Sequence, residues 1–146
     1  MNFVNCRGII IKNNKLVVME REFNGKKYCS FPGEHLEGNE SYEECLAREV
    51  MEEFGITIKP KKMIYGYEFC GKNQCYFVAD WISGEIHKTD GEEYQPNNNR
   101  GTYNPTQISF EEFDDKNLMP PEIKKQLVLD IKKYGMELNR KYIFIK

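Results

Sequence analysis

The sequence has no long apolar run, no charge excess of either sign, and few of the side chains that build a metal or nucleophile site on their own. No segment approaches the ~20 apolar residues of a membrane helix, so a helical membrane span is excluded. Lys and Arg total 21 against 23 Asp and Glu, a formal charge of −2. A global electrostatic grip on nucleic acid needs a basic surplus, so no nucleic-acid partner is expected. His35 and His87 are the only histidines. Neither stands in a ligand or nucleophile pattern, and both read as surface residues. The cysteines number five, an odd count, and the C-x4-C pair Cys70 and Cys75 has no second pair or histidine nearby. A disulfide framework and a zinc site both lack their parts. The opening Met-Asn-Phe-Val-Asn-Cys-Arg-Gly lacks the basic-then-apolar layout of an export signal, so a cytoplasmic protein with reduced thiols is expected.

What is present suits one folded domain over residues 1–146: 40% of the chain is hydrophobic and 13% aromatic. A domain of this length buries roughly 70% of its unfolded surface and needs no covalent staple. The first third reads as strands at 8–12, 15–23 and 28–31, turned at Asn13-Asn14 and Asn24-Gly25. Residues 34–40 read as a polar loop. A helix is expected from Ser41, whose Ser-x-x-Glu44 spacing forms a capping box, to Phe54, with Gly55 as a left-handed stop. Strands at 56–67 and 74–82 follow, with a hairpin tip at Gly71-Lys72-Asn73. Residues 87–105 form a long polar stretch, the kind of segment that is usually functional or disordered. Residues 107–110 read as a short strand, and Ser109-x-x-Glu112 is a second capping box. A last helix starts near Pro120-Pro121 with Ile123, Leu127, Ile131 and Tyr134 as its apolar stripe, and 142–145 reads as a final strand. Strands dominate around one early and one late helix, which makes the class α+β.

The helix after the polar loop carries the chemistry. Eight glutamates lie between 34 and 53, with only Arg48 opposing them in full charge. At ~100° per residue, Glu49, Glu52 and Glu53 fall within one sector of about 100°. Leu46, Ala47, Val50, Met51 and Phe54 occupy the other side, where a sheet can pack. Like charges at i,i+3 and i,i+4 repel, and a solvated face more often interleaves lysines. A hard divalent cation offsets this repulsion, because Mg²⁺ favours carboxylate oxygens and bridges to substrate phosphates. The plainer reading of three glutamates alone is an acidic solvent-exposed face.

At these residues the chain resembles the Nudix hydrolase family, whose signature is G-x5-E-x7-R-E-U-x-E-E-x-G-U, U being aliphatic. Arg48-Glu49-Val50-Met51-Glu52-Glu53-Phe54-Gly55-Ile56 matches every fixed position of the second half, and Glu40 stands at the earlier glutamate. The signature's first glycine is Glu34 here. Pro32, Gly33 and Glu37 keep the style of the preceding loop, whose later glycine comes one residue early as Gly38. The box covers residues 34–56.

The resemblance implies an α/β/α sandwich around a mixed sheet. It implies Mg²⁺, or Mn²⁺ in its place, bound by Glu49, Glu52 and Glu53, with the Gly33 carbonyl as a further candidate ligand. Arg48 would orient the glutamates, and Glu40 would fix the loop or reach metal through water. Hydrolysis of a phosphoanhydride in a nucleoside diphosphate linked to another group, nucleoside triphosphates included, is the implied reaction. The general base is expected on the helix or in the long polar stretch, where Glu93, and almost equally Glu92, are favoured because Gly91 lets the backbone bend. Arg100 suits a substrate phosphate. Tyr94 or Tyr103 suits a nucleobase, although packing beneath the loop is the plainer role for a tyrosine. A Nudix-fold module that binds a nucleotide without cleaving it is the alternative, and the intact glutamate set speaks for catalysis. The implied partner is a small nucleotide-type molecule, and the implied state a monomer or homodimer.

Overall fold

The computed structural model describes residues 2–146, so Met1 lies outside it. Strands β1 (Asn5–Lys12) and β2 (Lys15–Phe23) meet at Asn13-Asn14, both at positive φ, 55° and 61°. Asn24-Gly25, at 52° and 74°, likewise turns β2 into β3 (Lys26–Ser30). Paired left-handed residues match the twist of a tight hairpin. The expected polar loop begins instead as a short strand, β4 (Gly33–His35), laid antiparallel on β1 with Arg7 opposite Gly33. Three residues with one glycine and two polar side chains carry no periodic signal, so only the pairing partner reveals this strand.

Helix α1 (Tyr42–Phe54) forms as its sequence dictates. Ser41 and Glu44 close the capping box in both directions, and Gly55 ends the helix at φ 72°. Its packing face is rotated from the simple wheel. Cys45, Leu46, Glu49, Val50, Glu53 and Phe54 are buried, whereas Met51, expected on the packing side, is exposed. The cause is β4, which covers the Cys45 side of the helix; the Cys45 thiol lies 3.4 Å from the His35 carbonyl.

Strands β5 (Thr57–Phe69) and β6 (Lys72–Ser83) form a long hairpin that turns at Cys70-Gly71, one residue before the expected tip. The expected long polar stretch ends early. A single 3-10 turn occupies Glu92–Tyr94, and β7 (Thr102–Ser109) pairs with β2 along its whole length. Pro105 within β7 is tolerated because β7 is an edge strand. The Ser109 capping box opens only a 3-10 segment, Phe110–Asp115. Next come β8 (Leu118–Met119), α2 (Pro121–Tyr134) and β9 (Ile143–Ile145). On α2, Ile123 and Leu127 are buried as expected, but Tyr134 is exposed and Asp130 is buried in its stead.

β1 runs parallel to β6 in the middle of the sheet, from Asn5 opposite Gln74 to Ile10 opposite Ala79. Its other edge pairs first with β4 and then, at Ile11 and Lys12, with β2. The sheet therefore splits along β1, and a cleft opens where β4 and β2 diverge. Side chains alternate across the sheet. Ile9, Leu16, Val18 and Tyr76 face a core with Ile123 and Leu127 of α2. Cys6, Ile10, Val17, Met19, Cys75 and Phe77 face a second core with Leu46, Val50 and Phe54 of α1. A mixed sheet between two helical layers is the α/β/α arrangement within the α+β class. Among the described residues, no helix is long and apolar enough to cross a membrane.

Candidate active site

Gly33 is the pivot of the site. It holds φ at 113°, and a Cβ there would stand 2.0 Å from the Cys6 carbonyl oxygen, so only glycine fits. Its N–H donates to Glu53 Oε1 at 2.9 Å. Its carbonyl accepts from the Arg7 guanidinium, which also donates to the Phe31 carbonyl at 3.0 Å. One glycine thus ties β4 to the end of α1 and to β1.

Arg48 organises the outer half. It donates to both Glu40 oxygens, at 3.0 and 2.7 Å, and to Glu49 at 2.6 Å. Glu52 lies farther off, at 3.5 Å, and Glu37 at 3.7 Å. Glu40 Oε1 also accepts from the Glu37 N–H at 2.8 Å, closing the loop before α1. The Arg48 guanidinium beside Glu40 holds its carboxyl down at about 2.

The three expected ligands differ in burial. Glu49 and Glu53 are only 6% and 8% exposed, while the Glu52 side chain is 52% exposed. Burial raises Glu49 to about 7 and Glu53 to about 8, because a carboxylate charge is costly out of water. Glu93 is half-buried, and its pKa is raised by burial and by the nearby charges of Glu34 and Glu52. Its Oε1 is buried with no hydrogen-bond partner.

Glu93 is placed by the segment that follows β6. Thr89 Oγ1 donates to the Glu52 carbonyl and the Tyr94 hydroxyl to the Glu53 carbonyl, which pins the 3-10 turn to the last turn of α1. Gly91 lacks a side chain where the Glu93 carboxylate folds back, 2.1 Å from where a Cβ would sit.

Glu53, Glu93, Gly33, Arg100 and Tyr103 line one cleft of about 540 Å³, together with Glu34. The departure from the signature at position 34 therefore adds a carboxylate to the cleft wall. Glu92 does not join them. Its side chain is 87% exposed and pairs with Arg100 at 3.4 Å. Tyr94 packs beneath the segment against the α1-side core, as the plainer reading has it. Tyr103 holds Arg21 over its ring, 3.7 Å from the centroid. Sequence reasoning missed Arg7, Arg21, Tyr28 and Gln74, which line the same cleft. Arg7 had a detectable signal: it is the one charged residue before Lys12 in an otherwise apolar strand.

Among the described residues, no three histidine, cysteine, aspartate or glutamate side chains stand in a metal-holding arrangement. Arg48 engages Glu49 and Glu52 instead. The donor chemistry nonetheless fits a hard cation. Two buried carboxylates, Glu49 and Glu53, with the half-exposed Glu52 beside them, are acid oxygens that a divalent ion would satisfy.

A split mixed sheet between two helices, with Glu53 of an Arg-Glu-x-x-Glu-Glu helix lining a cleft of acids and arginines, defines a Nudix-type domain. The NUDIX domain matches this chain over residues 3–126, and the chain belongs to that family. It is 33% identical over 90 residues to an ADP-ribose pyrophosphatase of Methanocaldococcus jannaschii, covering 57% of this chain and 53% of that protein. It is 31% identical over 80 residues to the phosphatase NudJ of Escherichia coli, covering 55% and 52%. The chain thus spans about half the length of the curated relatives it matches. Among solved structures, an ADP-ribose pyrophosphatase of Streptococcus suis superposes with a TM-score of 0.66 at 18% identity, over 96% of this chain and 95% of that one. That likeness concerns the fold.

Proposed function

We propose that the protein is a divalent-metal-dependent pyrophosphohydrolase. It cleaves a phosphoanhydride bond in a nucleoside diphosphate linked to another group, nucleoside triphosphates included. The names of its relatives, an ADP-ribose pyrophosphatase and a phosphatase, support hydrolysis at phosphorus. The observation that carries the reading is the cleft itself, where Glu53 and the unpartnered Glu93 carboxylate share a wall with arginines.

Glu49, Glu52 and Glu53 would hold Mg²⁺, or Mn²⁺ in its place. The bound ion supplies charge neutralisation at the phosphate oxygens and a more acidic water. Arg48 orients Glu49 and locks the Glu40 loop against the helix. Glu93 takes the proton from the attacking water, a role suited to a carboxylate whose pKa burial has moved toward neutrality. Arg100 offers its guanidinium to a phosphate, and Tyr103 an aromatic wall to the rest of the substrate.

A panel of nucleotides with Mg²⁺ tests this, reading released phosphate, pyrophosphate and nucleoside monophosphate. Wild type is expected to turn over at least one compound, and Glu52→Gln and Glu53→Gln to lose most of that activity. No hydrolysis across the panel, or full activity in both variants, overturns the reading. Binding without cleavage in that panel would make the protein a nucleotide-binding module.

A further inference from the structure

Arg7 is one of the cleft residues that sequence reasoning missed, and its bonds are unusual. Its Nε donates to Gln74 Oε1 at 3.3 Å, and its Nη1 to the Phe31 and Gly33 carbonyls. All three acceptors are neutral. Among the described residues, no carboxylate lies within ion-pair distance of Arg7, although Glu53 is joined to the same glycine. Gln74 is itself buried, at 3% exposed, so this amide is a built part of the cleft floor. Nη2 makes no hydrogen bond among the described residues, which leaves two N–H groups of the guanidinium unspent.

A guanidinium that only needed a structural partner would be served better by a carboxylate. Here the plane is fixed by neutral acceptors and no carboxylate pairs with it directly, although Glu53, across Gly33, feels its charge. We propose that Arg7 binds a phosphate of the substrate through Nη2, with Gln74 as its positioning residue. The site would take the phosphate next to the cation that Glu53 helps to hold. This assignment rests on the phosphoanhydride reading above and names one of its substrate contacts.

The test measures binding of α,β-methylene-ADP in the presence of Mg²⁺ by titration calorimetry, with hydrolysis of the nucleotide panel followed in parallel. Loss of a charge-assisted contact predicts an affinity about ten- to a hundredfold weaker in Arg7→Gln. Arg7→Lys keeps the charge and loses the fork, and is expected to fall between Arg7→Gln and wild type. Gln74→Glu keeps the hydrogen-bond shape but puts a carboxylate against Arg7. It is expected to weaken binding about tenfold or more without lowering thermal stability, which a merely structural role for Arg7 would not produce. Gln74→Glu also reads the contact if Arg7→Gln fails to fold. Unchanged affinity in a folded Arg7→Gln, unchanged affinity in Gln74→Glu, or no binding by wild type overturns the assignment. If wild type hydrolyses nothing yet its binding depends on Arg7, the contact stands and the hydrolytic reading falls. If wild type hydrolyses and the variants bind and turn over alike, only the Arg7 contact falls.

Discussion

Glu92 and Glu93 are neighbours of the same type, and their surroundings separate them. Glu93 turns into the cleft with a buried, unpartnered oxygen, while Glu92 points to solvent. Glu93→Gln is therefore expected to lower turnover about 10²- to 10⁴-fold with cation affinity unchanged, as general-base loss does. Glu92→Gln should stay within about twofold of wild type; equal losses in steady-state assays of the two variants would reject the assignment. Gly33 is decided as sharply by space. Gly33→Ala drives a methyl into the Cys6 carbonyl at a φ that alanine rarely adopts, and should cost more than about 1 kcal/mol in chemical denaturation. Glycine at 33 and glutamate at 93 are both visible in the sequence. What each one faces is set by elements distant along the chain, β1 for Gly33 and the last turn of α1 for Glu93.

At the scale of the element, α1 illustrates how much local chemistry settles. Its start, stop and glutamate spacing follow from hydrogen bonds within four residues, and the structure matches them. Ser41→Ala removes the acceptor for the Glu44 N–H and should cost about 1 kcal/mol by denaturant titration. The Glu40–Arg48 pair adds a pH dependence of known sign. The Glu40 carboxyl is held at about 2 in the fold against an ordinary 4.5. Its contribution is complete above about pH 4.5 and is lost as pH falls toward 2. Glu40→Gln should flatten the acid limb of a thermal-stability profile over that window, and an unaltered limb would contradict it. The rotation of the buried face toward Glu49 and Glu53 was not legible, because β4 is too short and too polar to announce itself.

For the whole molecule, the C-terminal segment is fastened by a buried pair. Arg140 meets both Asp130 oxygens at 2.8 and 2.9 Å, and Tyr65 donates to the same carboxylate. This joins the chain after α2 to the long β5 strand, beside which β9 adds its parallel edge. Arg140→Met leaves Asp130 buried without a counter-charge, and should destabilise the fold by about 3–5 kcal/mol. A loss below about 1 kcal/mol in equilibrium unfolding would show the segment to be loosely attached. The pair sits ten residues apart within a pattern that reads as an ordinary amphipathic helix and a polar tail, so the sequence offered only apolar periodicity there.

The turns, the capped helix and the Arg-Glu-x-x-Glu-Glu spacing were all readable from residues alone. Each rests on hydrogen bonds or side-chain positions a few residues apart. So was the family, because its signature is itself a local spacing. Tertiary structure decided which glutamates are buried, that the strand expected at 107–110 begins at 102 and pairs with β2, and that Arg7 meets Gln74 across 67 residues of chain. Burial and charge compensation depend on which distant strand arrives beside a residue, and no local pattern carries that information.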